Sequence, residues 1–477
     1  MKKILRPILC GGVLAALLCT PSLAAEQGDF SLLVNGEPVA FTDAAPVLKD
    51  GRSFLPAVTT FQALGFAQED IVWNGETQSV TASKDGTTIS LTVGDSAVTW
   101  TGPSWSQTSE DGTSGSAGGS GGIAYLDAAP YIDPATNRTY IPVGLVADIL
   151  GCRVAWDGAT STVIIDDVDA ILAENTETYE RMDQYLDYAR KYSQGNYQVE
   201  GSYLLTSAPG EMESGAEIIN TIGGDYNLIS SQTAMQFAMD MSIGGTIMGA
   251  PIAPTDMNLD MRADLDTGML YLYFQSEDLE QLMNNNVQVN GESVEFQIPD
   301  QWYSLDMKAV YDEAYGPGFY EELVALSAAS QEAAFAQTLE ELLKSDTLIL
   351  TSTATTSDYL EALNQLLGDS HFQKSGSTYT STLEQDGVTI LFHLYTSGGQ
   401  VNGYGMEMTA SETTGMEMTM TMEMKGDDMS LLMEMAGMTM EMDGTYRPSS
   451  AAPETEPPAG ATVVDLWELL TTPVSEL

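Results

Sequence analysis

The chain has 477 residues and carries 68 acidic against 17 basic side chains, a formal net charge of −51. With 43% hydrophobic residues it has the makeup of folded domains, and its length suits two or three of them. So acidic a surface repels phosphate backbones, which argues against nucleic acid as a partner.

At the N-terminus, Lys2, Lys3 and Arg6 precede an apolar run from Ile8 to Cys19 and then Ser22-Leu23-Ala24-Ala25. A charged start, an apolar middle and a small-residue end make a secretory signal peptide, here residues 1–25. The run is shorter than the roughly 20 residues a bilayer takes, and no later stretch is long and apolar enough. The mature chain is therefore expected outside the cytoplasm, extracellular or at the cell surface, with no membrane span. Leu18 is not the small residue that lipid attachment at Cys19 wants. Cys10 and Cys19 leave with the signal, so Cys152 has no internal disulfide partner. Within Ile149-Leu150-Gly151-Cys152 it reads as a small buried hydrophobe.

Residues 26–166 contain two similar segments. Ala45-Pro46, Gly51-Arg52, Leu55-Pro56, Leu64-Gly65 and Trp73 recur as Ala129-Pro130, Asn137-Arg138, Ile141-Pro142, Leu150-Gly151 and Trp156. In each, a turn signal precedes a short β-prone run, Ser53–Leu55 or Thr139–Ile141. Val58, Phe61 and Leu64, and likewise Val146, Ile149 and Leu150, then recur at helical spacing before a glycine. Strands follow around Val72-Trp73 and Val154–Trp156, and again at Ser79–Ala82, Thr88–Val93 and Thr162–Ile165. The pattern predicts a small α+β unit given twice. A Gly- and Ser-rich insert, 101–122, reads as a flexible loop between the copies.

The linked motifs Val34-Asn35-Gly36-Glu37-Pro38-Val39, Asp50-Gly51-Arg52-Ser53-Phe54-Leu55-Pro56 and Leu150-Gly151-Cys152-Arg153-Val154-Ala155-Trp156 resemble the copper amine oxidase N-terminal-like, or stalk, domain over residues 30–166. The resemblance implies an extracellular adaptor module that does not bear the copper site. The oxidase centre needs three histidine ligands, and the whole chain has only His371 and His393. No cofactor is expected.

Residues 167–194 are predicted as a connecting helix, with Ile171, Leu172, Tyr179, Met182, Tyr185, Leu186 and Ala189 on one face and Gly195 at its end. A methionine-rich antiparallel sheet domain is predicted for 195–447. Met416, Met418, Met420, Met422 and Met424 alternate with polar residues along one strand. After the turn Lys425–Asp428 come Met429, Leu431, Met433 and Met435; after Ala436-Gly437 come Met438, Met440 and Met442. Parity sets Met424 opposite Met429 and Met435 opposite Met438, and a slip of one residue would turn every methionine outward. Met235–Met241 and Met257–Met261 repeat the design. Helices are expected at 277–284, 318–344 and 357–367, covering one face, and Trp302–Asp306 reads as a strand leading into a short helix. A broad curved sheet cradling helices resembles the bacterial lipoprotein-carrier fold. The class is thus α+β: a duplicated small α+β stalk module followed by a large curved antiparallel sheet with helices on one face.

The methionine face admits three readings. Methionine is an adaptable core filler, and burial against helices is its ordinary use. It also suits a hydrophobic groove for an acyl chain, lipid or apolar peptide, in which case Met418, Met420, Met422, Met433, Met435 and Met440 would line the site. Thioethers are also soft ligands for copper(I), although a strict two-residue period fits a buried sheet better than a mobile metal-binding segment.

For catalysis the sequence offers no GxSxG elbow, HExxH helix, P-loop or CxxC. Asp369-Ser370-His371 are adjacent, whereas triads are assembled from residues brought together in space. His393, in the strand 389–395, reads as a packed histidine. No catalytic or metal-binding residue is assigned. Residues 448–477 read as a Pro-rich extended linker and a short terminal segment able to dock back. The expectation is a non-enzymatic envelope or secreted protein that binds a lipid, another apolar ligand or a cell-wall component. Two alternatives stand beside it: a purely structural adaptor, and a copper(I)-binding protein.

Overall fold

The computed structural model describes residues 30–467 apart from 50–51, 103–104, 109–113, 118–120, 127, 143, 145–148, 193–194, 208–209, 212–216, 252, 279, 282–287, 290–291, 294–297, 330–332, 346–347, 386 and 411–416. The expected signal peptide lies outside the described residues, as does Met416. Contacts divide the described chain into two compact units, 30–176 with 340–362, and 177–339 with 363–467.

The first unit is built from short strands and small sheets. Among its strands are β1 (Ser31–Val34), β2 (Arg52–Pro56), β3 (Ile71–Asn74), β4 (Ser79–Lys84), β5 (Thr87–Thr92), β6 (Ala97–Thr101), β7 (Gly122–Tyr125), β8 (Arg138–Pro142), β9 (Arg153–Asp157) and β10 (Thr162–Asp166). β2 and β8 pair antiparallel with Leu55 opposite Ile141, and both side chains are buried. β10 pairs with β9 on one side and runs parallel to β1 on the other. Strands β3 to β7 form a five-stranded sheet in the order β7-β6-β5-β4-β3. Alternation explains the burial: Val80, Ala82, Ile89, Leu91, Val98 and Trp100 turn inward from β4, β5 and β6, while the threonines and serines between them stay wetter.

Helix α1 (Ala57–Ala63) sends Phe61 into this core, and Cys152 is buried in the same cluster. Lys84 Nζ donates to the Leu64 carbonyl, 3.0 Å away, at the helix's C-terminal end. Of the helix expected after Pro142, residues 143 and 145–148 lie outside the described set, and 144 and 149 are helical. The insert expected as a flexible loop instead contains two strands, Trp105–Thr108 and Ser114–Ala117, that pair antiparallel.

Residues 340–362 join this unit through backbone groups held by the β9–β10 hairpin. Arg153 donates to the carbonyls of Leu343 and Leu348. Asp157 accepts from the Ser352 amide at 2.9 Å, and the buried Asp166 accepts from the Thr356 amide at 3.1 Å. Three side chains thus satisfy backbone groups at and between the facing ends of two helices, from Leu343 to Thr356.

Among the described residues, the second unit is dominated by one sheet of sixteen strands. Its long strands are β11 (Asn196–Ser207), β12 (Glu217–Ser230), β13 (Ala234–Ile247), β14 (Thr255–Asp264), β15 (Met269–Gln275), β16 (Trp302–Asp306), β17 (Thr378–Gln385), β18 (Val388–Ser397), β19 (Gln400–Ala410), β20 (Met418–Lys425), β21 (Asp428–Met435) and β22 (Met438–Ser449). The order is β17-β18-β19-β20-β21-β22-β11-β12-β13-β14-β15-β16, all antiparallel. The edge strand Gln373–Ser375 adds beside β17, and β23 (Val463–Asp465) adds parallel to β16. Gly201 and Gly444 face each other where β11 meets β22. A Cβ on Gly201 would sit 1.9 Å from the Asp443 carbonyl, so only glycine permits this close approach. The Tyr226 hydroxyl lies over the gap and donates to that carbonyl at 2.8 Å.

Several expectations change. Residues 167–194 form two helices, α2 (Val168–Glu174) and α3 (Glu180–Arg190), rather than one. The break has a local cause. Asp369 accepts from the Glu180 and Arg181 amides and so caps α3 from a distant part of the chain. The helix expected over 318–344 is likewise two, α5 (Phe319–Ala329) and α6 (Phe335–Lys344), with the Phe335 amide bonded to Asp183. Before them, β16 runs into α4 (Met307–Tyr315) as expected, capped by Asp306 on the Ala309 amide. Helix α7 spans Thr356–Leu367. Of 277–284, residues 277, 278, 280 and 281 are helical and the rest lie outside the described set.

The Pro-rich tail, expected as an extended linker, is docked. Arg262 pairs with Glu454 and donates to the Glu456 carbonyl at 2.6 Å, with its guanidinium 4.7 Å over the Trp302 ring.

Burial raises the Asp157 carboxyl, but hydrogen bonds from Ser352, Thr160 and Ala159 outweigh it and hold the group at about 2. Between that value and the ordinary 3.8 the unfolded chain binds the extra proton, so acid favours unfolding. The contribution is complete above 3.8 and is lost as the pH falls through about 2. Asp157→Ala is expected to cost about 1–3 kcal/mol in thermal or urea unfolding at neutral pH, and to blunt the loss of stability over that acid window.

Candidate functional site

The methionines expected to face one way do so. β20 and β21 join through a tight turn at Gly426-Asp427, with Lys425 paired to Asp428. This is two residues shorter than the four-residue turn read from the sequence. The Ala436-Gly437 turn joins β21 to β22 with positive φ at both residues, the geometry that suits a two-residue hairpin. Met424 lies opposite Met429, and Met435 opposite Met438, as parity required.

Register arranges the face in four cross-strand rows. Tyr404, Met424, Met429 and Gly444 form the first; Met406, Met422, Leu431 and Met442 the second. Met408, Met420, Met433 and Met440 form the third, and Ala410, Met418, Met435 and Met438 the fourth. Burial falls along β20, β21 and β22 from the first row to the last, while Ala410 of β19 stays buried in the fourth. Met424 is 0% exposed, Met429 5% and Met422 7%, whereas Met418, Met420, Met433, Met435 and Met440 are half-buried and Met438 is 40% exposed. Of the six residues named from the sequence, Met422 therefore belongs to the covered end and the other five to the open end.

What covers the first rows is α3. Its Tyr185 ring stands edge-on to Tyr404 at 5.1 Å and to Phe392 at 6.0 Å, and Tyr192 packs on Tyr446 at 5.0 Å. The helix is then pinned to the β20–β21 turn. The Tyr188 hydroxyl donates to the Gly426 carbonyl at 2.7 Å, and Tyr192 donates to the same carbonyl and to Asp427. Lys191 Nζ adds a bond to Asp427 at 3.0 Å. Lys191 and Tyr192 hold the Asp427 carboxyl below the usual range. Burial pushes the Tyr188 phenol up to about 12 and raises Tyr192 further. The sequence reading missed this clamp, although Tyr185, Tyr188 and Tyr192 stand three and four residues apart, which sets them along one side of a helix.

The other polar candidates serve structure. Asp369 caps α3 and pairs with Arg181 at 2.8 Å, Ser370 donates to Glu177, and His371 is 3.9 Å from Glu177. The three adjacent residues therefore turn to separate tasks and make no triad. His393 is on the face opposite the methionines, bonded through Nδ1 to Thr380 at 2.8 Å and 3.3 Å from Glu407. No group of three or more His, Cys, Asp or Glu side chains is placed to hold a metal among the described residues.

Two concavities stand out among the described residues. One of about 110 Å³ is lined by Arg181 and Tyr379, and an open depression of about 520 Å³ by Leu204, Gly223 and Pro254. None of the six methionines lines either one. The open end is a half-exposed apolar face and not an enclosed cavity. No described helix is long and apolar enough to cross a membrane.

With the Tyr188 phenol at about 12 against 10.0 in the unfolded chain, the unfolded state loses its proton first as the pH rises. The clamp's contribution is whole below 10.0 and is lost as the pH rises through about 12. In an alkaline titration followed by tyrosinate absorbance, a group of tyrosines is expected to ionise only in that upper window, together with unfolding. Tyr188→Phe is expected to remove about 1 kcal/mol of stability.

No curated protein matches the chain. Among solved structures, a β-barrel-like protein of a domain of unknown function from Brucella abortus aligns at 12% identity over 53% of this chain and 98% of its own. Its TM-score is 0.19, which carries no argument about the sheet. The resemblance to the lipoprotein-carrier fold finds no support in these comparisons. Residues 33–165 match the family model of the copper amine oxidase N-terminal domain, a non-catalytic stalk domain that occurs in secreted or periplasmic proteins.

Proposed function

We propose that this is a non-enzymatic secreted or cell-envelope protein in which a stalk module carries a sheet that binds an apolar ligand. The signal peptide read from residues 1–25 would direct it outside the cytoplasm, where a lipid, another apolar molecule or a cell-wall component would be its partner. In the stalk, the two similar segments are read as copies of one unit. The pairing of Leu55 with its counterpart Ile141 supports that reading.

The observation that carries the binding proposal is the gradient of burial along β20, β21 and β22. A sheet used only as packing would bury all its methionines. Here the rows nearest the Gly426 turn are covered, while Met418, Met420, Met433, Met435 and Met440 stay half-exposed in register. Flexible thioether side chains adapt to loosely specified apolar shapes. The polar residues of the same strands, among them Thr419, Thr421, Glu434 and Glu441, take the other face and keep the sheet soluble.

One observation favours a second reading, copper(I) held by thioethers: Met420, Met433 and Met440 lie side by side in a single half-exposed row. Titration with copper(I) under reducing conditions separates the two, since submicromolar binding belongs only to the metal reading.

The binding proposal is tested by organic extraction and mass spectrometry of the purified protein, and by titration with a fluorescent fatty acid. Extractable lipid or micromolar probe binding is expected, weakened about tenfold or more by Met433→Glu, which sets a charge on the apolar face. Probe binding that is absent from the wild type, or unchanged in Met433→Glu, would sink the proposal and leave a structural adaptor.

A further inference from the structure

The open rows leave methionine side chains partly exposed to water, and thioethers undergo a chemistry that a filled core would block. We infer that Met418, Met420, Met433, Met435, Met438 and Met440 form a site of reversible oxidation to methionine sulfoxide by small hydroperoxides. Reaction enters at the Met438 row and halts before the helix-covered Met424 and Met429.

The step balances without any further co-reactant. The thioether lone pair attacks one oxygen of hydrogen peroxide, the O–O bond breaks and an S–O bond forms. Sulfur loses two electrons, and the other oxygen leaves as water with both protons.

The order follows from the surroundings of each row. Met438 is 40% exposed, and its cross-strand neighbour Met435 is half-exposed. A sulfoxide oxygen is a strong acceptor, yet apart from Ser207 beside Met438 each neighbour of these methionines in its row is another thioether or an aliphatic group such as Leu205 beside Met440. The threonine and glutamate side chains of these strands are on the other face. Beyond Met438, whose neighbour Ser207 carries a hydroxyl, water is the donor left to satisfy the new acceptor, and that water also wets the next row. The strands survive, because their ladder bonds are backbone bonds. Progress ends where Tyr185, Tyr188 and Tyr192 of the pinned helix exclude water from Met424 and Met429.

The consequence for a ligand rests on the reading of the preceding subsection. Oxidised rows would be polar and would release an apolar molecule, and reduction of the sulfoxides would restore the face.

The test is a limited hydrogen peroxide time course on the folded protein, read by peptide mapping and mass spectrometry. Met248, 77% exposed in a turn, is the fast internal reference, and the buried Met182 the slow one. The open rows should react within about tenfold of Met248 and at least about tenfold faster than Met424 and Met429. Methionine sulfoxide reductases should reverse the change. Equal rates for Met420 and Met424, or open rows as slow as Met182, would overturn the inference.

Replacing Met418, Met435 and Met438 together by leucine keeps shape and removes the entry row. Oxidation of Met420, Met433 and Met440 should then slow severalfold, and an unchanged rate would overturn the row-by-row order. A fluorescent fatty acid is followed in parallel. If the reduced protein never binds it, the apolar-ligand reading fails, while the oxidation map still decides this inference on its own.

Discussion

Three side chains at the C-terminal end of one helix, Tyr188 within it and Lys191 and Tyr192 just past it, meet one hairpin turn and set the character of the large sheet. Tyr188, Lys191 and Tyr192 converge on the Gly426 carbonyl and the Asp427 carboxylate. Unpaired in a buried setting, that carbonyl would cost the free energy of its lost solvation. Met by phenol donors, it becomes an anchor that fixes where α3 crosses the sheet. The helix is eleven residues long and covers only part of strands that run eight to twelve residues. One face therefore carries a dry end and a wet end, although the sequence gives both ends the same residue, methionine.

The other end of α3 is set from equally far away in the chain. Asp369 takes the first amides of the helix, and Arg181 returns an ion pair to the same carboxylate. Burial works to raise the Asp369 carboxyl, and these hydrogen bonds bring it below its ordinary value. A helix held at both ends by residues some two hundred positions away cannot slide along the sheet without breaking charged contacts. In the first unit the β9–β10 hairpin works similarly, with Arg153, Asp157 and Asp166 holding the backbone of 343–356. In both units, polar side chains satisfy backbone groups of segments distant in sequence.

Much of this was legible in the sequence, wherever a local rule decided the outcome. The two-residue period fixed which way the methionines of β20, β21 and β22 face, and the Ala436-Gly437 pair marked its turn. The linked glycine, proline and tryptophan motifs of the first unit led to the stalk domain matched over residues 33–165. The features that escaped depend on contacts distant in sequence. Asp369 divides what reads as one helix near residue 175, and nothing near residue 175 announces it. Arg262 draws a proline-rich tail onto the sheet, where composition alone suggests a free linker. The difference between covered Met424 and half-buried Met420 also escaped, since both are methionines on the same face of one strand and the covering helix is distant in sequence.

Unequal access of water to the two ends of one methionine face underlies both the binding and the oxidation proposed for it. Methyl spectra of protein labelled at the methionine methyl groups, recorded with and without a soluble nitroxide, read that access directly. The methyls of Met418, Met420, Met433, Met435, Met438 and Met440 should broaden strongly, while those of Met424 and Met429 stay sharp. Uniform protection across all eight would show a filled core and contradict the account.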